Sequence, residues 1–206
     1  IKNGGLVIIP TETVYGIAAG MLNEKALERL YDIKMRPKDK PFSVHIAEKS
    51  RVEDFAIAIP VSAYKLMDKF WPGPLTLILK SIRSGKVGLR MPDNEIALKI
   101  IKEVYDPVVM PSANLSDNPA PKNFEEAIKD LDGKVDLAID AGETRLGIES
   151  SIVDLSRGEP EFIRIGAIKK EELQEVVSRK RVVFICTGNS CRSVMAEALL
   201  KKILQE

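Results

Sequence analysis

The chain has 206 residues, 45% of them hydrophobic, with 31 lysines and arginines against 30 aspartates and glutamates. That length builds one substantial core, or one core and a fragment, and a charge sum this close to zero excludes a protein-wide field for nucleic acid, so any basic site is local. No apolar run is long enough to span a bilayer and no signal peptide opens the chain, which predicts a cytoplasmic protein without membrane attachment.

Residues 5–10 read as a buried strand stopped by Pro10, and Asn23 caps a helix whose apolar residues Ala26, Leu27, Leu30, Tyr31 and Ile33 recur at helical spacing. Strand, loop, helix is the expected opening unit. Residues 34–41 follow, with Lys34, Arg36, Lys38 and Lys40 at every second position and prolines at 37 and 41. Proline disfavours helix at itself and at its predecessor, so the segment is expected to be extended, with four cations on one face. Residues 42–46 alternate as a strand. A helix over 61–70, the turn Trp71-Pro72-Gly73-Pro74 and a strand over 75–79 come next. A strand over 87–91, a helix over 95–104 and a short strand over 108–110 precede a polar loop over 111–122. Asn123 and Glu126 form a capping pair for the next helix. Strands over 137–140, 148–155 and 161–165 and a charged helix over 169–177 complete the series. Interleaving without a strict βαβ repeat predicts an α/β (mixed α+β) fold: a twisted mixed parallel and antiparallel sheet flanked by helices. A boundary is expected near residue 180, separating residues 1–178 from a strand–loop–helix fragment over 179–206 too short for its own core. Ile1 in place of a methionine, and an amphipathic run still open at Glu206, give the expectation of a piece of something longer.

Several segments carry groups suited to ligand binding. The basic face at 34–40 suits a polyphosphate, arginine supplying a planar fork and lysine a compact charge; taken alone it reads first as a solvated basic loop. Pro10-Thr11-Glu12-Thr13-Val14-Tyr15-Gly16 puts two hydroxyls and a carboxylate at a strand end, a usual ligand position in open sheets, or simply closes the strand in a turn. Pro111-Ser112-Ala113-Asn114 repeats that choice. Arg90 stands in an apolar strand, where its guanidinium needs an anion, either a structural carboxylate or a ligand's. Arg164 stands likewise between isoleucines. His45, the only histidine, lies between Val44 and Ile46, a common setting for a packed core histidine.

Together these segments resemble the YrdC-like threonylcarbamoyl-adenylate synthase family. The likeness rests on the 10–16 segment, Lys34-x-Arg36-Pro37 with Lys40-Pro41, Val44-His45-Ile46, Trp71-Pro72-Gly73-Pro74-Leu75-Thr76, Leu89-Arg90-Met91-Pro92, Pro111 to Ser116, and Glu149-Ser150-Ser151 to Asp154 with Ile163-Arg164-x-Gly166. The resemblance implies a nucleotidyltransferase that makes L-threonylcarbamoyl-AMP and pyrophosphate from L-threonine, bicarbonate and ATP, with Mg²⁺ accompanying ATP. The product would pass to tRNA threonylcarbamoyl transferase proteins, so tRNA is engaged indirectly. It further implies threonine contacts at Thr13, His45, Arg90, Ser150 and the Met110 main chain, and ATP contacts at Arg36, Lys40, Ser112 and Arg164. Lys34, Arg36 and Arg164 would form the catalytic, charge-neutralising set. Two departures stand out: Ala120 replaces a common serine, and Lys86 stands where a small hydroxyl residue is frequent and is expected near the nucleotide.

Cys186-Thr187-Gly188-Asn189-Ser190-Cys191-Arg192-Ser193 lies between an expected buried strand over 182–185 and a helix beginning near Ser193, so backbone N–H groups converge on one anion site. Two cysteines so close are no secreted disulfide framework. The spacing looks like the start of a low-molecular-weight protein phosphatase, with Cys186 as nucleophile, Arg192 on phosphate and Cys191 able to close a protective disulfide. Without the general acid expected past residue 206 the segment is an incomplete phosphatase, or only a strand and helix packing on the first domain. An RNA-binding module of the same fold is the remaining alternative, opposed by near-zero net charge and few interleaved aromatics.

Overall fold

A computed structural model describes residues 1–83, 85–116, 118–178, 184–188 and 192–203. Among them nine strands form one mixed sheet: β1 Val7–Ile9, β2 Gly16–Gly20, β3 Val44–His45, β4 Leu75–Lys80, β5 Lys86–Arg90, β6 Val108–Val109, β7 Leu137–Ala138, β8 Ser151–Asp154 and β9 Glu161–Arg164. Their order is β7-β1-β2-β6-β3-β5-β4-β8-β9. Three pairs run parallel (β1 with β7, β3 with β5, β4 with β8) and the other five antiparallel, which is the mixed sheet expected.

Period-two alternation divides the apolar side chains between two faces. Ile8, Ile17 and Ala19 pack with α1 (Glu24–Lys34), α2 (Val61–Phe70) and, further along, α5 (Lys170–Ser178). Val7, Ile9 and Ala18 pack with α3 (Glu95–Val104) on the opposite face. The sheet is therefore covered on both sides.

The helices begin where their caps predict. Asn23 Oδ1 accepts from Ala26 N and Asn94 Oδ1 from Ala97 N, each at 3.0 Å. At α4 (Phe124–Lys129) Asn123 Oδ1 accepts from Glu126 N at 2.8 Å, while the Glu126 carboxylate returns to the amide of Lys122.

The opening unit departs from expectation. β2 intervenes between β1 and α1 and forms a hairpin with β1, registering Val7 against Ala18. Its sequence, Gly-Ile-Ala-Ala-Gly, holds a single β-branched residue and no aromatic among glycines and alanines, a weak strand signal. Small side chains are what this central position requires, because a Cβ at Gly16 would meet Met110 Sδ at 2.8 Å.

Residues 34–41 are also not extended. α1 runs through Lys34, Met35 closes it in the left-handed region at φ 44°, and Lys40 N donates to Pro37 O at 3.0 Å in a turn. Each proline restricts itself and its predecessor, which leaves Lys38 and Asp39 free to turn. The four cations consequently do not share a face: Lys38 pairs with Glu28 at the surface.

At the C-terminal end α6 spans Arg192–Ile203, close to the expected start. Residues 181–183 and Cys191 lie outside the described residues, and with them half of the expected strand and the proposed disulfide. Ile185 is 91% exposed rather than buried. Cys186 Sγ approaches Ser193 Oγ at 3.2 Å, and Arg192 Nη2 lies 3.4 Å from Thr187 Oγ1.

Candidate active site

The loops after β1, β6 and α1, the outer ends of β3 and β5, and the segment leading into β8 surround a polar cavity of about 390 Å³. Four cations reach its wall, Lys34, Arg36, Arg90 and Arg164, against one wall carboxylate, Glu149. A chain with nearly balanced charge thus concentrates positive charge at one place, as a site for anions requires.

Each cation is held by a different device. Lys34 Nζ is buried and donates to Ser112 O at 2.9 Å, Asn114 O at 2.5 Å and Asn114 Oδ1 at 2.9 Å. All three of its donors are spent on the loop after β6, so what it offers the cavity is charge. Burial, with Arg36 nearby, lowers its pKa to about 8, and Glu149 opposes the shift. Arg36 ties its own turn, donating from Nε to Lys40 O at 2.7 Å, and lies over the Phe42 ring at 5.2 Å. Arg164 Nη1 pairs with Glu149 Oε1 at 2.6 Å, while its Nε donates to Ser150 O at 2.9 Å and its Nη2 to Ser150 Oγ at 3.2 Å. Arg90 Nη2 donates to Glu12 Oε1 at 2.8 Å and Thr13 Oγ1 at 2.7 Å. The anion that its apolar strand demanded is internal.

His45 is buried on the wall beside Arg90. Desolvation first, and Arg90's charge second, lower its pKa to about 3. Nδ1 lies 3.3 Å from Ser43 O. A carbonyl only accepts, so Nδ1 carries the hydrogen and Nε2 keeps its lone pair. Thr76 Oγ1 and Ser150 Oγ share a hydrogen bond of 2.9 Å, and Ser112 Oγ donates to Asn114 Oδ1 at 2.6 Å. Tyr15 braces the region from behind: its hydroxyl donates to Gly142 O at 2.8 Å and accepts from Ala141 N at 3.0 Å.

Of the residues singled out from sequence, Lys34, Arg36, His45, Arg90, Met110, Ser112, Ser150 and Arg164 line this cavity. Thr13 and Lys40 do not. Thr13 is fully buried behind Arg90, where its hydroxyl accepts from the guanidinium and shares a 2.8 Å hydrogen bond with Thr11, the residue that does reach the wall. Lys40 stands exposed in the turn and contributes its carbonyl to Arg36. Lys86 is likewise not on the wall, because its ammonium pairs with the buried Asp154 carboxylate at 2.5 Å. Thr76 and Glu149 received no site role from sequence, and Glu12 is legible there only as a carboxylate at a strand end. The signal was present for Glu12, since a buried arginine needs a counter-charge, but the pair lies 78 residues apart in the chain.

A family model named Sua5/YciO/YrdC and described as telomere recombination matches residues 1–166. The chain belongs to the Sua5/YciO/YrdC family. A second model, low molecular weight phosphotyrosine protein phosphatase, matches residues 181–206 alone. The threonylcarbamoyl-AMP synthase of Pyrococcus abyssi is 40% identical over 208 residues, covering 97% of this chain and 61% of its own length. The enzyme of that name from Bacillus subtilis is 40% identical over 187 residues, covering 86% and 54%. A crystal structure of P. abyssi Sua5 complexed with L-threonine has a TM-score of 0.82 at 41% identity, covering 86% of this chain and 55% of that one. The chain therefore spans little more than half the length of these Sua5 relatives. Among the described residues no helix is long and apolar enough to cross a membrane.

Proposed function

We propose that residues 1–178 form a threonylcarbamoyl-AMP synthase domain, a nucleotidyltransferase acting in the cytoplasm on L-threonine, bicarbonate and ATP. The observation that carries this reading is the convergence of Lys34, Arg36, Arg90 and Arg164 on one hydroxyl-lined cavity in the fold of a relative solved with L-threonine.

The reaction needs two anions to meet. Threonine's free amine takes up bicarbonate, losing water, to give a carbamate. A carbamate oxygen then attacks the α-phosphorus of ATP, the bond to the β-phosphate bridging oxygen breaks, and pyrophosphate leaves with that electron pair. Arg90 takes the threonine carboxylate, while His45 Nε2 and the Ser150 hydroxyl are suited to its hydroxyl and amine. Arg36, Arg164 and Ser112 take the phosphates, with the charge of Lys34 behind them. Mg²⁺ would accompany ATP as part of that substrate and would supply further charge neutralisation at the phosphates. With His45 held neutral and Glu149 bound to Arg164, the site acts by charge neutralisation and alignment, and it selects the free amine on binding.

The product would pass to tRNA threonylcarbamoyl transferase proteins. Residues 179–206 are assigned as an incomplete low-molecular-weight phosphatase-like segment in which Cys186 and Arg192 belong to the anion loop. The deciding experiment measures pyrophosphate release from ATP with and without threonine and bicarbonate. Release that depends on both substrates is expected. Release indifferent to either, or RNA retention or aryl phosphate turnover in its place, refutes the assignment.

A further inference from the structure

Arg90 arrives at the cavity wall already paired, and the pairing is one-legged. Its side chain is 7% exposed and that of Glu12 only 1%. Among the described residues its hydrogen bonds run from Nη2, to Glu12 Oε1 and to Thr13 Oγ1. Arg90 Nε and Glu12 Oε2 are buried with no hydrogen-bond partner, although a guanidinium and a carboxylate at this distance commonly close a two-legged fork.

The acceptors are fixed from behind. Thr11 Oγ1 receives the amides of Thr13 and Val14 and donates to Val14 O at 2.7 Å. The main-chain oxygen of Glu12 accepts from Leu146 N at 2.9 Å. Residues 11–14 therefore form a rigid cradle against which the guanidinium rests.

A guanidinium forks onto an external carboxylate along one of two edges, Nε with Nη2 or Nη1 with Nη2. Both edges include Nη2. An amino-acid carboxylate that enters to fork onto Arg90 competes for the nitrogen that Glu12 and Thr13 already hold.

We propose that Glu12 is a positioning residue that stands in for the substrate carboxylate in the empty protein, occupying Arg90 Nη2 and thereby weakening amino-acid affinity so that the bound acid can leave. The proposal rests on the reading of Arg90 as the carboxylate anchor. Without the Glu12 charge, the empty protein holds a buried guanidinium lacking a counter-charge, whereas the complex still holds one supplied by the ligand. The empty state is raised more than the complex. Affinity rises while stability falls, a pair of opposite changes that loss of a merely structural contact does not produce.

The test is Glu12→Gln in the full 206-residue chain, with L-threonine binding measured by calorimetry and melting followed with and without the amino acid. Threonine is expected to bind about tenfold more tightly as the unpaired guanidinium recruits it, with a lower melting temperature when free and a larger threonine-induced rise. Unchanged or weaker affinity in the folded variant overturns the proposal. If Glu12→Gln does not accumulate folded, Glu12→Asp withdraws the charge by one methylene, and a smaller tightening of about threefold is expected; unchanged or weaker affinity there overturns it equally. L-Threoninol, which lacks the carboxylate, separates the two readings. If the unaltered protein binds it as well as threonine, the Arg90 assignment falls and takes the proposal with it. Preference for threonine with no tightening in either variant removes the proposal alone.

Discussion

Lys34 Nζ donates to both oxygens of Asn114, the carbonyl at 2.5 Å and the side-chain Oδ1 at 2.9 Å. One ammonium thus fastens the C-terminal end of α1 to the loop that carries Ser112 into the cavity, and Ser116 Oγ returns a hydrogen bond to Lys34 O. Lys34→Met keeps the length of the side chain and removes every donor, so the main-chain oxygens of Ser112 and Asn114 lose the ammonium while Asn114 Oδ1 keeps the Ser112 hydroxyl. Unsatisfied buried acceptors cost about 1–3 kcal/mol each and are not additive, so a loss of about 2–3 kcal/mol is expected in urea unfolding at unchanged slope. The Michaelis constant for ATP should rise more than that for threonine. Equal rises in both constants would show that the loop serves the whole cavity rather than its phosphate side.

The same ammonium has a pH signature. Its pKa is about 8 in the fold against an ordinary 10.5. Between those values the unfolded chain binds more protons than the folded one, so this group makes stability rise with pH over that window. Phosphate attraction runs the other way, because Lys34 loses its charge as pH passes through about 8. ATP affinity should fall from pH 7.5 to 9 while the contribution of Lys34 to stability grows, and Lys34→Met should lack both trends. Measuring the ATP constant and the urea midpoint of the two proteins across that range checks it; parallel curves would exclude Lys34 as the source.

How far the sequence could be read depends on the range of the forces involved. α2 and α3 were legible residue by residue because their limits are local: Pro60 and Asn94 stand at their N-caps, and Trp71 and Tyr105 at their C-caps. β2 was illegible because its residues are chosen for close approach to Met110, a fact that belongs to the assembled sheet. The cations of the cavity could be named from sequence since charge among apolar neighbours is conspicuous. Their partners could not: Lys34 meets Asn114 across 80 positions, and Glu12 meets Arg90 across 78. Lys40 and Lys86 stand off the cavity wall for the same reason, a turn and an Asp154 partner that local spacing does not encode.

His45 offers an unusually clean titration, since the chain has only one histidine. Its pKa of about 3 lies below the ordinary 6.5 chiefly through burial, so the folded ring stays neutral while the unfolded ring takes up a proton. The associated stability is fully present above pH 6.5 and is lost as pH falls toward 3, at no more than about 1.4 kcal/mol per pH unit. The imidazole proton resonances should hold their shifts from pH 8 to pH 5, and threonine affinity should show no inflection near 6.5. A midpoint between 6 and 7 would mean that the ring is solvated and that its neutral Nε2 is not a built feature of the site.

Gly166 is the residue on which the placement of Arg164 turns. A Cβ there would overlap the Glu149 carbonyl oxygen and meet the Ser150 carbonyl carbon at 2.8 Å, backbone atoms that have no side-chain freedom with which to retreat. The neighbouring hydrogen bonds leave equally little room: Gly166 N and Ile168 N both donate to Ser151 Oγ, at 2.9 and 3.1 Å, and Ala167 N donates to Glu149 O at 3.0 Å. Gly166→Ala must push the chain after β9 away from the segment entering β8, and Arg164 is joined to that segment through Glu149 and Ser150. Overpacking of this kind costs about 1–3 kcal/mol. Activity should fall by more than the stability loss explains, because displacing one cationic donor from a developing charge is worth about 10²- to 10³-fold in turnover. Steady-state pyrophosphate release at a temperature where the variant is fully folded separates the two effects. Full turnover in a folded Gly166→Ala protein would show that Arg164 reaches its working position independently of this junction.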